Sequence, residues 1–414
     1  MRVPDLTNYT HETLRVLRAR AEELLDRNVW LLECFTEPTL VCGLEYPGIW
    51  LEHNQDNLFY ALRDLRVAQA GQEIFIRHQA ADGLLPPYLR RAKNPPVVGD
   101  GHVQSVLPFA RTAWEIATLS RDEAFLSRAY AAASRYDAWL VRYRGTRGTG
   151  LVEMFCEYDT GHDHSPRVTD GGIPRACPGL DARVRPDNSK LPIISVDLSA
   201  MQYGARMALA EMAEALGRRP EAERWREQAA TTRRLIHELL WDDADEFFYD
   251  LGADGRFRRY RSEHITRLFL NRVVDQALFD RIWLRHFTDP QGFATDFPMP
   301  SLAPSDPRTD RAARTNSWGG QSQALTTLRA ALWMESYQRA DELDRLLGIW
   351  LEALLRSDRR FTQEMDPRHG VFSDCAAGYT PTLLIAILAI DRSTGEGWLS
   401  QVIPGSRTPI APAG

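Results

Sequence analysis

The sequence predicts an all-α fold: a closed barrel of helical hairpins, built as one domain. Three observations carry this. Apolar residues recur with helical period along most of the 414-residue chain. The helical segments come in pairs joined mostly by short turns. Convincing strands are few, with 246–251 ("EFFYDL") the best candidate. No fixed repeat period is present, which sets a barrel above a solenoid. A composition that is 44% hydrophobic and 10% aromatic supplies a large core.

The elements follow in order. "HETLRVLRARAEELLDRNVW" (11–30) places Leu14, Leu17, Ala21, Leu24 and Leu25 on one stripe. "GHVQSVLPFARTAWEIATL" (101–119) and "RDEAFLSRAYAAASRYDAWLVRY" (121–143) read as consecutive helices. So do "VDLSAMQYGARMALAEMAEALG" (196–217) and "PEAERWREQAATTRRLIHELLW" (220–241), where Gly217 suits a helix end and Pro220 a first turn. "ALFDRIWLRHF", "SWGGQSQALTTLRAALWMESY", "QRADELDRLLGIWLEALLRS" and "YTPTLLIAILAI" complete about eleven helical segments. Three long connections interrupt them, at 145–194, 288–315 and 357–378. Long loops on a rigid helical scaffold are where chemistry concentrates. Nothing reads as an interdomain linker, so the domain is expected to span 1–400, with 401–414 a loose tail.

Bulk properties exclude several classes. A net charge of −6 gives no sign of nucleic acid or of a polybasic membrane patch. The lysines are Lys93 and Lys190 alone; arginine supplies the remaining positive charge. Cys34, Cys42, Cys156, Cys177 and Cys375 are odd in number and scattered without a C-x-x-C, which argues against a disulfide framework and excludes a zinc ribbon. The N-terminus has no apolar leader and no window reaches a membrane span, so a soluble cytoplasmic protein is expected. No G-x-S-x-G, Walker loop or dinucleotide fingerprint is present. The sequence sets no oligomeric state.

The loop "FCEYDTGHDHSPR" (155–167) is crowded with ionisable side chains. Asp163 is either an acid whose burial keeps it protonated for donation, or a turn-capping residue. His162 and His164 flank it, but His-x-His with no other ligand cluster nearby is a poor metal site, and none is expected. Glu364, in "FTQEMDPRHG", is either a carboxylate ready to activate water or an exposed loop acid. "EYPGIWLEHNQDN" gathers Trp50, Glu52, His53, Asn54, Gln55 and Asp56, which suits a sugar pocket or a capped helix start. In "NSWGGQSQ", Trp318 and Gln321 bracket glycines that let a backbone approach a ligand, or mark a helix start with a buried Trp. Tyr88, after two prolines, and Gln104 complete the set.

The order of these pieces resembles the clan of inverting α-glycosidases that contains the family 37 trehalases, the family 63 processing glucosidases and single-domain bacterial mannosylglycerate/glucosylglycerate hydrolases. The resemblance runs over roughly 40–392, through "YPGIWLEHNQDNLFYAL", "DGLLPP", "VQSVLPFA", "EYDTGHDHSPR", "NSWGGQSQALTTL" and "FTQEMDPRHG". It implies an (α/α)6 barrel and a small carbohydrate substrate with no cofactor. It assigns the general acid to Asp163 and the general base to Glu364. With a site of that kind, Trp50, Trp318 and Tyr379 are expected as aromatic walls, and Asp56, Gln104, Ser165, Arg167, Gly319 and Gln321 as sugar contacts beside Glu52, His53, Asn54, Gln55 and Tyr88. Two stretches depart from the family. Where it commonly shows Trp-x-Trp-Asp, this chain has "IWLEHNQDN"; where it has Trp-Arg-Gly-Pro, this chain has "SWGGQS". Single displacement with inversion needs carboxyl groups about 6.5–9.5 Å apart. The rival readings are a sugar epimerase using His53 and His162, and a sugar-binding barrel without catalysis.

Overall fold

The computed structural model describes residues 1–32, 36–91, 97–310 and 316–410. Cys34, Lys93, the 311–315 end of the second long connection and the last four tail residues lie outside them. In chain order the α-helices are α1 His11–Arg27, α2 Asp56–Tyr60, α3 Leu65–Arg77, α4 Phe109–Ser120, α5 Glu123–Tyr143, α6 Pro166–Thr169 and α7 Val196–Ala215. Then come α8 Arg219–Leu240, α9 Thr266–Leu270, α10 Gln276–Ile282, α11 Ala324–Ala330, α12 Ala340–Arg356 and α13 Thr380–Thr394.

Six of them close a ring. Helix α2 packs on α4, α4 on α7, α7 on α9, α9 on α11, α11 on α13, and α13 back on α2. The outer layer pairs with it: α1 on α13, α3 on α2 and α4, α5 on α4 and α7, α8 on α7, and α12 on α11 and α13. Helix α10 joins through aromatic packing, Phe279 lying 4.8 Å from Phe269 of α9. This is an (α/α)6 barrel. Burial follows position: every residue from Thr380 to Asp391 of inner α13 is buried, whereas outer α8 buries one stripe, Ala222, Ala229, Thr232, Ile236 and Leu240. An inner helix must be apolar all round; an outer one is amphipathic.

The ring also decides where the site lies. Short turns (61–64, 121–122, 216–218, 271–275) run from an inner helix to an outer one. Long connections (78–108, 144–195, 288–323, 357–379) run from an outer helix to an inner one. All the long segments therefore gather at one end of the barrel, over the N-termini of the inner helices.

Several boundaries differ from the sequence reading. The helix expected from 101 begins at Phe109, because Pro108 takes the N-cap, and 101–108 are irregular, with Gln104 at φ 37°. The helix expected over 317–337 is confined to α11; 317–323 are loop and strand, and 331–337 are turns. "EFFYDL" splits into two short strands, Phe247–Phe248 and Asp250–Leu251, in different sheets. Further two- and three-residue strands, unseen in the sequence, pair at the long-loop end: Trp50 opposite Tyr88, and Gln323 opposite Glu364. Gly217 does end α7 with φ 73°, and Pro220 does stand in the first turn of α8.

The tail is not loose as far as it is described. Residues 405–408 cover the short-loop end, where the Arg272 guanidinium donates to the carbonyls of Gly405, Ser406 and Thr408 at 3.5, 3.4 and 3.1 Å. Burial lowers the Arg272 pKa to about 10, and carbonyls rather than carboxylates surround it.

Candidate active site

A cavity of about 260 Å³ opens at the long-loop end. Its wall includes Tyr46, Trp50, Glu52, His53, Tyr88, Arg90, His102, Gln104, Asp163, Asn316, Gln363 and Tyr379, with Cys42 and Tyr158.

The loop 155–167 is built around Asp159. Its carboxylate is fully buried and accepts the N–H groups of Phe155, Cys156 and Val103 at 2.7, 3.1 and 3.0 Å, and is paired with buried Arg144. Gly161 then turns the chain with φ 68°. A Cβ there would lie 1.9 Å from Glu52 Oε2, so only glycine lets the Glu52 carboxylate seat against the loop. The Glu157 carboxylate takes the His164 N–H at 2.7 Å, fixing the backbone just after Asp163.

Asp163 faces the cavity. Asn316 Nδ2 donates to its Oδ2 at 2.8 Å, and its Oδ1 is buried with no donor. Burial first, and the charge of Glu52 next, push the Asp163 pKa up to about 7, against the Asn316 hydrogen bond that lowers it. Glu364 is fully buried on its two-residue strand. Its Oε2 accepts from Gln323 Nε2 at 2.7 Å and from the Ser317 N–H at 2.9 Å, while Oε1 has no donor. Burial raises its pKa, and Gln323 and the Ser317 N–H, with Ser373 and the Asn316 backbone beside them, oppose the rise.

One short segment holds both groups. Asn316 grips Asp163, the Ser317 N–H grips Glu364, and the Trp318 N–H grips the Asp163 carbonyl at 3.1 Å. Asn316 adopts φ 47°, a conformation asparagine tolerates better than most residues, and its Oδ1 receives Gln363 Nε2 at 2.7 Å. Tyr46 donates to Gln363 Oε1 at 3.0 Å, and its phenol pKa is raised by burial and by Cys375, with Asp163 and Glu364 adding to the effect.

The other expected contacts divide. Trp50, Glu52, His53, Tyr88, Gln104 and Tyr379 line the cavity. Trp50 stacks on Tyr88 at 5.8 Å, and His53 Nε2 lies 3.0 Å from the Tyr379 hydroxyl. Asp56 is one layer behind, 3.2 Å from His53 Nδ1, and it takes Gln55 Nε2 at 2.9 Å. Asn54, Gln55, Ser165 and Gln321 are buried outside the lining.

Arg167 is a correction. Its guanidinium is fully buried and is forked onto Asp250 (2.7 and 2.9 Å) and Asp197 (2.9 and 3.0 Å), so it is not available to a sugar. Trp318 is likewise no wall: its ring packs 5.0 Å from His162 and beneath Arg267. Gly319 and Gly320 give close approach to the chain itself, where a Cβ on Gly320 would meet the Asp310 carbonyl at 2.9 Å. His162 joins the Arg167 network. It lies 2.5 Å from Glu263 and 2.7 Å from Arg167, an arrangement that puts its proton on Nε2; burial and Arg267 lower its pKa to about 3. It therefore cannot pair with His53 across the cavity. His164 is at the rim, between the Asn316 carbonyl and Arg175. Among the described residues no three His, Cys, Asp or Glu side chains converge as metal ligands, and no helix is long and apolar enough to cross a membrane.

Sequence reasoning missed Tyr46, His102, Asn316, Gln323 and Gln363 as site residues. Each stood inside or beside a quoted motif, but carboxamides and a lone Tyr carry no spacing signal.

The mannosylglycerate hydrolase MGH1-like glycoside hydrolase domain family matches residues 55–380, well over half of the chain. The chain belongs to this family. It is thus a glycoside hydrolase, as the ordered motifs implied. Among curated protein sequences none matches it. Among solved structures, the GH63 mannosylglycerate hydrolase of Thermus thermophilus in complex with glucose is 18% identical, with a TM-score of 0.70 over 90% of this chain and 99% of that one. The same enzyme in complex with Tris and D-glycerate gives 0.71 at 18% identity and the same coverage. The neutral trehalase of Saccharomyces cerevisiae gives 0.63 at 15% identity, over 93% and 82% of the two chains. At these identities the likeness establishes the barrel fold.

Proposed function

We propose that this chain hydrolyses a small α-glucoside or α-mannoside by single displacement with inversion. Asp163 protonates the glycosidic oxygen, and Glu364 deprotonates a water on the opposite face of the sugar. The observation that carries the reading is the shared strap 316–318. It holds a half-buried carboxyl group, Asp163, and a fully buried one, Glu364, by one oxygen each and leaves the other oxygen of each, Asp163 Oδ1 and Glu364 Oε1, without a donor. A pKa near 7 keeps a proton on Asp163 at neutral pH, as a general acid requires. Gln323 and the Ser317 N–H favour the ionised form of Glu364, as a base requires. Trp50, Tyr88 and Tyr379 offer aromatic faces to the ring.

An anionic aglycone such as glycerate is the one this reading favours, because the cavity wall carries an arginine. Of the arginines on nearby loops, Arg90 lines the cavity, Arg167 is consumed by Asp197 and Asp250, and Arg175 sits at the rim beside His164. The relative solved with D-glycerate supports testing this aglycone first. A cytoplasmic solute is the substrate class that belongs with this reading.

The test is sugar release from trehalose, both glycosylglycerates and other α-glucosides and α-mannosides, by wild type, Asp163→Asn and Glu364→Gln. Cleavage by wild type with a loss of about 10²- to 10⁴-fold in each folded variant is expected. Equal cleavage by all three would refute the assignment.

A further inference from the structure

The surroundings of Glu52 repeat a pattern seen at Asp163 and Glu364. Each of those groups has one oxygen held by a side-chain amide, Asn316 Nδ2 or Gln323 Nε2, and one buried oxygen with no donor. Glu52 matches: Gln104 Nε2 donates to Oε1 at 3.0 Å, and Oε2 is buried with no donor. Among the described residues, Glu52 Oε2, Asp163 Oδ1 and Glu364 Oε1 are the only carboxylate oxygens in that condition. Every other deeply buried carboxylate near the site is satisfied. Asp159 takes three N–H groups and Arg144; Asp197 and Asp250 share Arg167; Glu263 takes Arg267 and Thr266.

A buried anionic acceptor without a donor is costly, and proteins keep one where a ligand supplies the missing hydrogen. Glu52 lines the cavity, and Gly161 is what lets its carboxylate seat beside the acid loop. Its backbone carbonyl is pinned by Arg329 Nη2 at 2.9 Å, so the side chain is anchored at both ends.

We propose that Glu52 is the specificity-determining residue of the site: its free Oε2 accepts a hydrogen bond from one hydroxyl of the glycosyl unit lying between Asp163 and Glu364. The ligand class is a pyranose with a free hydroxyl at that position. The residue reads the sugar, while the acid and base act on the bond. The inference rests on the proposed hydrolase site, but its test needs binding alone.

The experiment measures affinities of D-glucose, D-mannose and their monodeoxy forms for wild type, Glu52→Gln and Asp163→Asn by calorimetry. A hydrogen bond to a charged acceptor predicts that, in wild type, one deoxy form binds about 10- to 100-fold more weakly than its parent. That gap should collapse in Glu52→Gln and persist in Asp163→Asn. Gln104→Met, which removes the anchor and keeps the carboxylate, should shrink the gap, and it serves if Glu52→Gln fails to fold. No gap at any position, or a gap unchanged in the Glu52 or Gln104 variant, would overturn the inference. Loss of cleavage has no bearing on it: an Asp163→Asn protein that still cleaves but keeps the gap refutes the hydrolase assignment and leaves Glu52 standing.

Discussion

His162 and Asp163 are adjacent in sequence and face opposite worlds. His162 points into a closed cluster in which Arg167 and Arg267 are matched to Asp197, Asp250 and Glu263, and every carboxylate oxygen there has a donor. Asp163 points into a cavity beside Glu52, and each of these two carboxyl groups has an oxygen with no donor. Both clusters are buried and dense in charge. The difference is saturation. Paired charges position the loop; unpaired ones are left for a ligand. Buried ionisable residues alone do not mark a site, but carboxylate oxygens buried without a donor do.

The comparison can be broken at several points. On the open side, Asp163→Asn and Glu364→Gln should each lower kcat by about 10²- to 10⁴-fold with the fold intact, read by sugar release and a thermal melt. On the saturated side, Arg167→Met leaves buried Asp250 without a cation and Asp197 with Arg267 alone. Chemical denaturation should report about 3–5 kcal/mol of lost stability, with each molecule still folded able to bind sugar. If Arg167→Met instead keeps its stability and loses sugar affinity, the division between the two clusters is wrong.

Asn316→Ala tests the link between them. The Asn316 amide lowers the Asp163 pKa, so its removal should raise it beyond about 7. The alkaline limb of kcat/KM, where the acid loses its proton, should then move to higher pH. Activity should also fall roughly tenfold through lost positioning, an effect of about 1.4 kcal/mol. A limb that moves to lower pH would contradict the assigned hydrogen bond.

The last effect is on stability. A carboxyl group raised from 3.8 to about 7 on folding binds its proton more tightly in the native state. Its contribution is fully favourable below the unfolded pKa and declines as pH rises from about 4 to about 7. Asp163→Asn removes that decline. The variant should melt a few degrees above wild type at pH 8, and the difference should vanish or reverse near pH 4, measured by calorimetry at both values.

Much of the barrel was legible because its signals are local. Stripes at helical spacing, Gly217 and Pro220 each report a neighbourhood of a few residues. The acid and base segments were legible as ordered motifs. What failed was long-range. Arg167 reads as a substrate contact in a loop, but its partners Asp197 and Asp250 lie 30 and 83 residues away. Asn316 reads as part of a helix start, but it meets Asp163 across 153 positions. The short strands that set Glu364 opposite Gln323 are too brief to leave a period-two pattern. Pro108 was visible and still outweighed by the apolar pattern around it; the helix starts after it, and 101–108 instead carry His102 and Gln104 into the cavity wall.

The most direct test of the central claim is the anomer first released from a cleaved α-glycoside, followed by proton NMR before mutarotation. If Asp163 donates to the leaving oxygen while Glu364 activates water from the other face, the first sugar is the β-anomer. Release of the α-anomer would mean a covalent intermediate or attack from the same face, and would contradict the roles given to the two carboxyl groups.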